Sequence, residues 1–391
     1  MSTTESPHAE KKPGQNTGLM DGFRRIIQER HDYAREWKDR TGGRVFGGMC
    51  TYVPEEIIYA AGILPVRVLG SHEPQDVSER HIYAMFCPFC RDVLAQGLLG
   101  RYDYLEGLIM SHTCMHLRQS FDSWVTHVGI DYFYYLFMPQ LIRHRKARGY
   151  LTTEFTRFKE NLEGWIGKKI SNEEIDRAIE VHNTNRRLLR QIYELRKSPN
   201  PPISGAECME LVVSSQLCDK AEHNGMLERL LKELPARQDL PPAGTRLMVI
   251  GGECDDQEAV RLVEASGANV VADDLCCGSR YFWNEVIPGE DRMSALAQGY
   301  LNKPPCPLKD VTHERIRFKY VLDMAREFNV QGVLQVMQKF CDPHEFDIPA
   351  MERFLKDNGI PSYSIELDVT MPVGQLQTRT EAFLEMLELE I

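Results

Sequence analysis

Apolar residues follow two periods along the first 150 residues. Phe23, Ile26, Ile27, Ala34 and Trp37 recur at helical spacing and predict one helix. Gly42, Gly43, Gly47 and Gly48 then break the pattern. Three short apolar runs bounded by polar turns read as buried strands: ILPVRVL (63–69), LEGLIMS (105–111) and DYFYYLF (131–137). Helices are predicted between them. Pro54-Glu55-Glu56 opens one over IIYAAG, because Pro suits the first turn and Glu the positive helix start. FCPFCRDVLAQGLLG opens a second and HLRQSFDSWVTHVG a third. This alternation implies a parallel sheet, with the aromatic strand DYFYYLF packing a core rather than lining a ring pocket.

Residues 150–243 read as helices throughout. Phe155, Phe158, Leu162, Trp165 and Ile166 mark one, Ser171 with Glu174 forms the capping-box signature of the next, and a third is expected from Glu207 to Lys232. Strand–helix alternation returns with RLMVIGG (246–252), DQEAVRLVEASG and ANVVADD, followed by a loop of about 30 residues, longer than compact domains usually carry without function. A helix over IRFKYVLDMAREFN, a strand VQGVLQVMQ, a helix from PAMERFLKDNG, a strand PSYSIELD and a closing helix TRTEAFLEMLELE complete the chain. The expected class is α/β: two Rossmann-like parallel-sheet domains, 18–149 and 244–391, with a helical insertion at 150–243 and a polar tail at 1–17. LEGLIMSHTCMHLRQSF and VQGVLQVMQKFCDPHEF share the order strand, polar turn with Cys, helix, which suggests a loose duplication.

Charge narrows the function. With 57 acidic and 46 basic residues the net charge is −11, which argues against a nucleic-acid binder. No apolar run approaches the roughly 18 to 20 residues of a membrane helix, and the N-terminus lacks the apolar stretch of a secretion signal. The expected compartment is cytoplasmic, where the 11 cysteines are not expected to form disulfides.

Most cysteines stand where strands end or helices begin. Cys114 follows strand 105–111, Cys254 strand 246–252, Cys276 and Cys277 the strand ANVVADD, and Cys341 the strand VQGVLQVMQ. Functional crevices of open parallel sheets lie at those carboxyl ends. Cys87-Pro-Phe-Cys90 starts a helix, whereas Cys208 and Cys218 lie on helix faces as ordinary buried thiols. Zinc wants closely spaced pairs, and there is no second CxxC. A redox CxxC, a cysteine-rich core without metal, and an iron–sulfur cluster held by scattered single thiolates all stay open on spacing alone.

CTYVPEEIIYAAGILPVRVLG, CPFCRDVLAQGLLGRYDYLEGLIMSHTCMHLR, ADDLCCGSRYF, PPCP, FCD and GQLQTRTEAFLE occur in that order. Together they resemble the 2-hydroxyacyl-CoA dehydratase and benzoyl-CoA reductase family from about residue 20 to the C-terminus. The ADDLCCGSRYF and Cys254-Asp255-Asp256 segments are closer to the benzoyl-CoA reductase branch and the related double-cubane proteins. The resemblance implies two Rossmann-like domains with an iron–sulfur cluster between them. It places Cys50, Cys114 and Cys341 at the positions that hold a [4Fe–4S] cluster in the dehydratases. Cys87, Cys276 and Cys306 match further family cysteines, and six ligands would suffice for a double cubane. Cys90, Cys254 and Cys277 rank second; Cys277 stands where relatives commonly carry a small hydroxyl residue.

The resemblance also implies low-potential electron delivery to an acyl-CoA thioester, driven by ATP on a separate activator and shared with a homologous second subunit. No GxxxxGK[ST] or GxGxxG fingerprint occurs here, so nucleotide is expected on another chain. Glu55 and His112 are the candidate proton-handling residues, with His116 beside Cys114 and Arg280 for an anionic group. The expected function is the iron–sulfur subunit of an ATP-dependent benzoyl-CoA reductase. The alternatives are a dehydratase subunit and a non-catalytic or stand-alone double-cubane electron-transfer protein.

Overall fold

The computed structural model describes residues 18–310, 313–370 and 373–389; the expected tail at 1–17 lies outside them. The chain opens with α1 (Asp21–Gln28) and α2 (Arg30–Thr41), followed by β1 (Arg44–Met49), α3 (Glu55–Ala60), β2 (Ile63–Arg67), α4 (Pro88–Leu98), β3 (Gly107–Ser111), α5 (Met115–His127) and β4 (Tyr132–Leu136). Helices α6 (Ala147–Ile166), α7 (Asn172–Glu194), α8 (Gly205–Ser215) and α9 (Lys220–Glu233) come next. The second half runs β5 (Thr245–Gly251), α10 (Gln257–Ala265), β6 (Ala268–Asp274), α11 (Ser279–Phe282), α12 (Arg292–Leu301), α13 (Ile316–Glu327), β7 (Gly332–Gln338), α14 (Asp342–Asp357), β8 (Ser362–Leu367) and α15 (Val373–Leu389). None of the described helices is long and apolar enough to cross a membrane.

The strands form two four-stranded, all-parallel sheets, ordered β2-β1-β3-β4 and β6-β5-β7-β8. The architecture is α/β with two Rossmann-like sheets, as expected. The orders are equivalent, and the two segments that suggested duplication occupy the third position of each sheet as β3–α5 and β7–α14.

Several elements differ from the sequence reading. The first helix is two, broken at Glu29, where φ −105° and ψ 25° leave the helical region. The helix expected over 207–232 is also two; Asp219 caps the second by accepting from the N–H groups of Ala221 and Glu222. The glycine break after residue 42 contains β1, paired with both β2 and β3. Gly47 serves packing there: a Cβ would stand 2.8 to 2.9 Å from Leu105, Leu108 and Val68 side chains. The long loop after β6 contains α11 and α12, the latter capped by Asp291 and burying Leu296, Ala297 and Tyr300. Helix α14 begins at Asp342, with Pro349 inside it rather than at its start. The capping box at Ser171 and Glu174 forms as expected.

The aromatic strand β4 packs on helices. Trp165 of α6 stacks on Tyr132 at 4.9 Å, Phe158 meets Tyr134 at 4.8 Å, and Phe121 of α5 meets Phe133 edge-on at 5.9 Å.

Strand β5 ends against the backbone of β7. A Cβ at Gly251 would stand 1.8 Å from the Val336 carbonyl oxygen, its partner in register. Neither strand can yield without losing pairing, so Gly251→Ala is expected to cost about 3 kcal/mol or more. A urea midpoint equal to that of the parent chain would refute this.

Candidate functional site

The carboxyl ends of both sheets converge on one small cavity of about 90 Å³. Seven thiols line it: Cys50, Cys87, Cys90, Cys114, Cys276, Cys306 and Cys341. Local structure explains how each arrives. Cys50 follows β1 with φ +89°, a left-handed turn that ends the strand sharply. Cys87, Cys114 and Cys341 are the N-cap residues of α4, α5 and α14, and Cys306 caps a single 3₁₀ turn at Pro307–Lys309. Cys276 lies between β6 and α11. All six predicted positions are therefore brought together, and Cys90, ranked second, joins them. Cys254, Cys277, Cys208 and Cys218 line neither this cavity nor the one beside it. Cys277 instead donates to Glu253 Oε2 at 3.0 Å.

The thiols divide into an inner and an outer set. A second cavity, about 550 Å³, opens beside the first, and Cys87, Cys114 and Cys341 line both. Of the six predicted positions, Cys50, Cys276 and Cys306 line only the small one; so does Cys90, whose thiol hydrogen-bonds with Cys114 and Cys87 of the other set. Electrostatics follow the same division. Burial pushes the Cys276 thiol pKa up, and Cys306 and Cys50 add to it. Burial does the same at Cys341, where the added charges are Cys87 and Cys114. Cys114 goes the other way: a hydrogen bond from Cys90 and the N–H groups of Leu117 and His116 hold its thiol below the ordinary value against burial.

Polar groups grip the thiols from behind. Thr113 Oγ1 donates to Cys50 Sγ at 3.3 Å. Arg280, wholly buried, donates to Cys276 Sγ at 3.2 Å and is anchored on Asp274 Oδ1 at 2.6 Å. The anionic group that Arg280 meets is thus an internal carboxylate, together with a thiol. Arg67 of β2 pairs with Glu253 beyond β5, joining the two sheets next to the cavity. Thr51 and Tyr52 line the same cavity; the Thr51 hydroxyl is buried without a hydrogen-bond partner, and the Tyr52 hydroxyl is buried near the Cys306 backbone.

The two proton-handling candidates separate. His112 lines the larger cavity, its pKa lowered by burial and by Lys309 and Arg118. His116 lines it too. Its Nδ1 accepts the Cys87 N–H at 3.1 Å, which leaves the ring proton of a neutral imidazole on Nε2, 4.0 Å from Asp342. Glu55 lines neither cavity. Its Oε2 accepts from Tyr281 at 2.5 Å and lies 3.5 Å from Lys220 Nζ. Burial raises its pKa, but Lys220 and His182 outweigh that and keep it ionised. Beside it Glu56, held at about 2 by Arg186 against burial, accepts from Tyr300 at 2.7 Å. Sequence reasoning did not single out Lys303 and Lys309, although both flank Cys306 at a spacing of three. Among the described residues no three His, Cys, Asp or Glu side chains gather at a single-ion site.

A second link between the halves joins His72, beyond β2, to Asp255, beyond β5, at 3.2 Å. Burial lowers the His72 pKa, but the Asp255 carboxylate overrides it and holds the imidazole at about 9, above its ordinary 6.5. The stabilisation is therefore complete below about pH 6.5 and lost as pH rises through 9. We expect the metal-free chain to lose about 1 to 3 kcal/mol over that window and His72→Gln to respond less. Urea midpoints against pH check this; parallel curves for both chains would contradict it.

A family model described as 2-hydroxyglutaryl-CoA dehydratase, D-component, matches residues 50–387, beginning at the first cavity thiol. The chain is 28% identical over 373 residues to the (R)-phenyllactyl-CoA dehydratase beta subunit of Clostridium sporogenes, covering 94% of this chain and 98% of that one. It is 28% identical over 339 residues to one of the subunits of benzoyl-CoA reductase from Thauera aromatica, covering 85% and 88%. With the (R)-2-hydroxyglutaryl-CoA dehydratase subunit beta of Acidaminococcus fermentans it shares 27% over 378 residues, 95% and 99% of the two chains. A match over most of the length, on a chain whose strand ends gather seven thiols, means that the protein belongs to the 2-hydroxyglutaryl-CoA dehydratase D-component family.

Proposed function

We propose that this chain is the iron–sulfur subunit of an ATP-driven complex that reduces an aromatic acyl-CoA, as in benzoyl-CoA reductases. The observation that carries the reading is the gathering of seven thiols at one cavity, among them the six expected ligands: Cys50, Cys276 and Cys306, which line only that cavity, and Cys87, Cys114 and Cys341, which also border the larger one. That donor set fits iron–sulfur ligation. It is all sulfur and lines a single cavity, as the thiolate ligands of an iron–sulfur group require. The Thr51 hydroxyl, buried without a partner on a residue of the cavity wall, is a donor that a bound sulfur group would satisfy. When bound, such a group supplies single electrons at low potential.

The protein's own contribution is burial, charge and proton placement. Phe89, Leu117 and Pro307 help wall the small cavity with apolar surface. The larger cavity, reached past Met115, Leu308 and Phe346, is the natural place for an acyl thioester next to the outer thiols. His116 holds a proton on Nε2 at that cavity, and His112 offers a second imidazole. Glu55, in its buried network with Tyr281 and Lys220, acts through the loop that carries Cys50 rather than at the cavity. The energy input is assigned to a separate ATPase, and the complex also includes a homologous partner chain. The names of the relatives as subunits of larger enzymes support a multi-subunit complex; the ATPase and the homology of the partner are part of the proposal.

Dehydration of a 2-hydroxyacyl-CoA is the second reading, favoured by the names of two of those relatives. One experiment separates the two. The chain, purified without oxygen with its partner subunit and ATPase, is given benzoyl-CoA or a 2-hydroxyacyl-CoA. ATP-dependent loss of benzoyl-CoA absorbance supports the first reading, and formation of an enoyl-CoA the second. Absence of iron and acid-labile sulfide after reconstitution would refute both.

A further inference from the structure

Cys306 sits in the segment Lys303-Pro-Pro-Cys306-Pro-Leu-Lys309, with a lysine three residues away on each side. Both lysines are buried, at 3% and 0% exposure. A lysine taken out of water ordinarily meets a carboxylate, because an uncompensated ammonium in the interior costs several kcal/mol. The neighbouring buried cations obey that rule, Arg67 on Glu253 and Arg280 on Asp274. Lys303 and Lys309 do not: among the described residues neither has a carboxylate oxygen within ion-pair distance, and both bond only neutral oxygens.

Those oxygens tie the lysines to the other thiol-bearing loops. Lys303 Nζ donates to the carbonyls of Thr51 at 3.1 Å and Tyr281 at 3.0 Å, and lies over the rings of Tyr281 and Tyr300. Lys309 Nζ donates to the carbonyls of His112 at 3.3 Å and Met138 at 3.4 Å and to Gln140 Oε1 at 3.1 Å. Thr51 follows Cys50, and His112 precedes Cys114 by two residues. Carbonyls and aromatic faces solvate a cation without cancelling its charge. The nearest carboxylates to Lys303, on Glu55 and Glu56, are already engaged by Lys220, Tyr281, Arg186 and Tyr300. Two buried amines without a carboxylate are thus left over beside a cavity walled by thiols; burial lowers the pKa of both, that of Lys303 to about 7, while Cys50, and at Lys309 also Cys306 and Cys114, raise it, so an anionic group in the cavity is what holds them charged.

We propose that Lys303 and Lys309 are the counter-charges of the thiolate-bound group at this cavity, positioning residues that make its reduction easier. The proposal rests on the iron–sulfur reading above. Each electron taken up adds negative charge, and a fixed cation in a low-dielectric interior favours the more negative state. The missing carboxylate partners are explained, since the thiolates and the group they bind complete the pairing.

The test uses the full-length chain reconstituted without oxygen, with Lys309→Met, Lys309→Arg and Lys303→Met. Two quantities are read: the midpoint potential by EPR-monitored titration, and the rise in Tm on loading iron and sulfide. In Lys309→Met we expect one-electron reduction to become about tenfold less favourable, a fall of about 59 mV. The Tm gain on loading should shrink as well. Lys303→Met should move both in the same direction, and Lys309→Arg should stay close to the parent. Iron lost from Lys309→Met but kept by Lys309→Arg also supports the proposal. Parent-like potential and loading gain in both Met variants would overturn it, as would equal iron loss in the Met and Arg variants of Lys309. A parent chain that takes up no iron sinks the iron–sulfur reading and this proposal together; a parent that loads while the Met variants match it sinks this proposal alone.

Discussion

Cys114→Ser is expected to strip most of the iron from the reconstituted chain, while Cys218→Ser leaves the iron content unchanged. Cys114 caps α5, and its sulfur accepts the Leu117 N–H at 3.3 Å, a position that favours thiolate. The hydrogen bond from Cys90 acts in the same direction. A serine would keep the cap but replace a soft thiolate with a hydroxyl that binds iron poorly. The chain should therefore fold as before and lose only the group. Cys218 is buried more deeply than Cys114, its thiol donates to the Ser214 carbonyl at 3.2 Å, and it lines neither cavity. Iron and acid-labile sulfide per chain, with a thermal melt as the control for folding, decide the matter. Equal losses in the two variants would mean that the thiols of the cavity are not the ligands.

Much of this architecture could be read from the chain because buried parallel strands announce themselves as short apolar runs. ILPVRVL, LEGLIMS, RLMVIGG and VQGVLQVMQ all became strands. Where the reading failed, tertiary packing had overridden a local signal. Gly47 and Gly48 look like breakers, yet Gly47 lies in the central strand because its missing Cβ makes room for Leu105, Leu108 and Val68. Helix α12 was hidden in an apparent loop, although Asp291 and the spacing of Met293, Leu296, Ala297, Tyr300 and Leu301 mark it. Its apolar face is satisfied by a helix far away in sequence, since Tyr300 packs edge-on against Phe155 of α6 at 5.5 Å.

The site divides in the same way. That cysteines at strand ends and helix starts gather in one place follows from parallel-sheet topology. Which of them turn inward does not. Cys254 and Cys276 both follow strands of the second sheet, but only Cys276 reaches the cavity, gripped there by Arg280. The grouping into inner and outer sets depends on how one sheet faces the other, and no spacing along the chain encodes that.

That grouping leads to the second large effect: Cys276→Ser and Cys87→Ser should each remove about half of the iron, from different halves of the site. Three thiolates suffice to hold a four-iron cubane whose remaining iron bonds elsewhere, so two sets of three suit two linked cubanes, about eight irons per chain. Cys276 belongs to the inner set with Cys50 and Cys306, and Cys87 to the outer set with Cys114 and Cys341. Losing one thiolate of three leaves its cubane with two protein ligands while the other set is intact. The alternative is one open cubane on Cys50, Cys114 and Cys341, the set implied by likeness to the dehydratases. In that arrangement Cys87 and Cys276 would be spectators, and the parent chain would hold about four irons. Cys50, Cys114 and Cys341 all line the small cavity, so both arrangements can be built there, and they differ in whether Cys87 and Cys276 carry iron. Iron per chain in the parent and the two variants separates the models. About eight irons falling to about four in each variant, with a different EPR signal surviving in each, fits two cubanes. About four irons in all three chains fits one. In the two-cubane case only the outer group borders the larger cavity, which makes the inner one a store of electrons held away from the thioester.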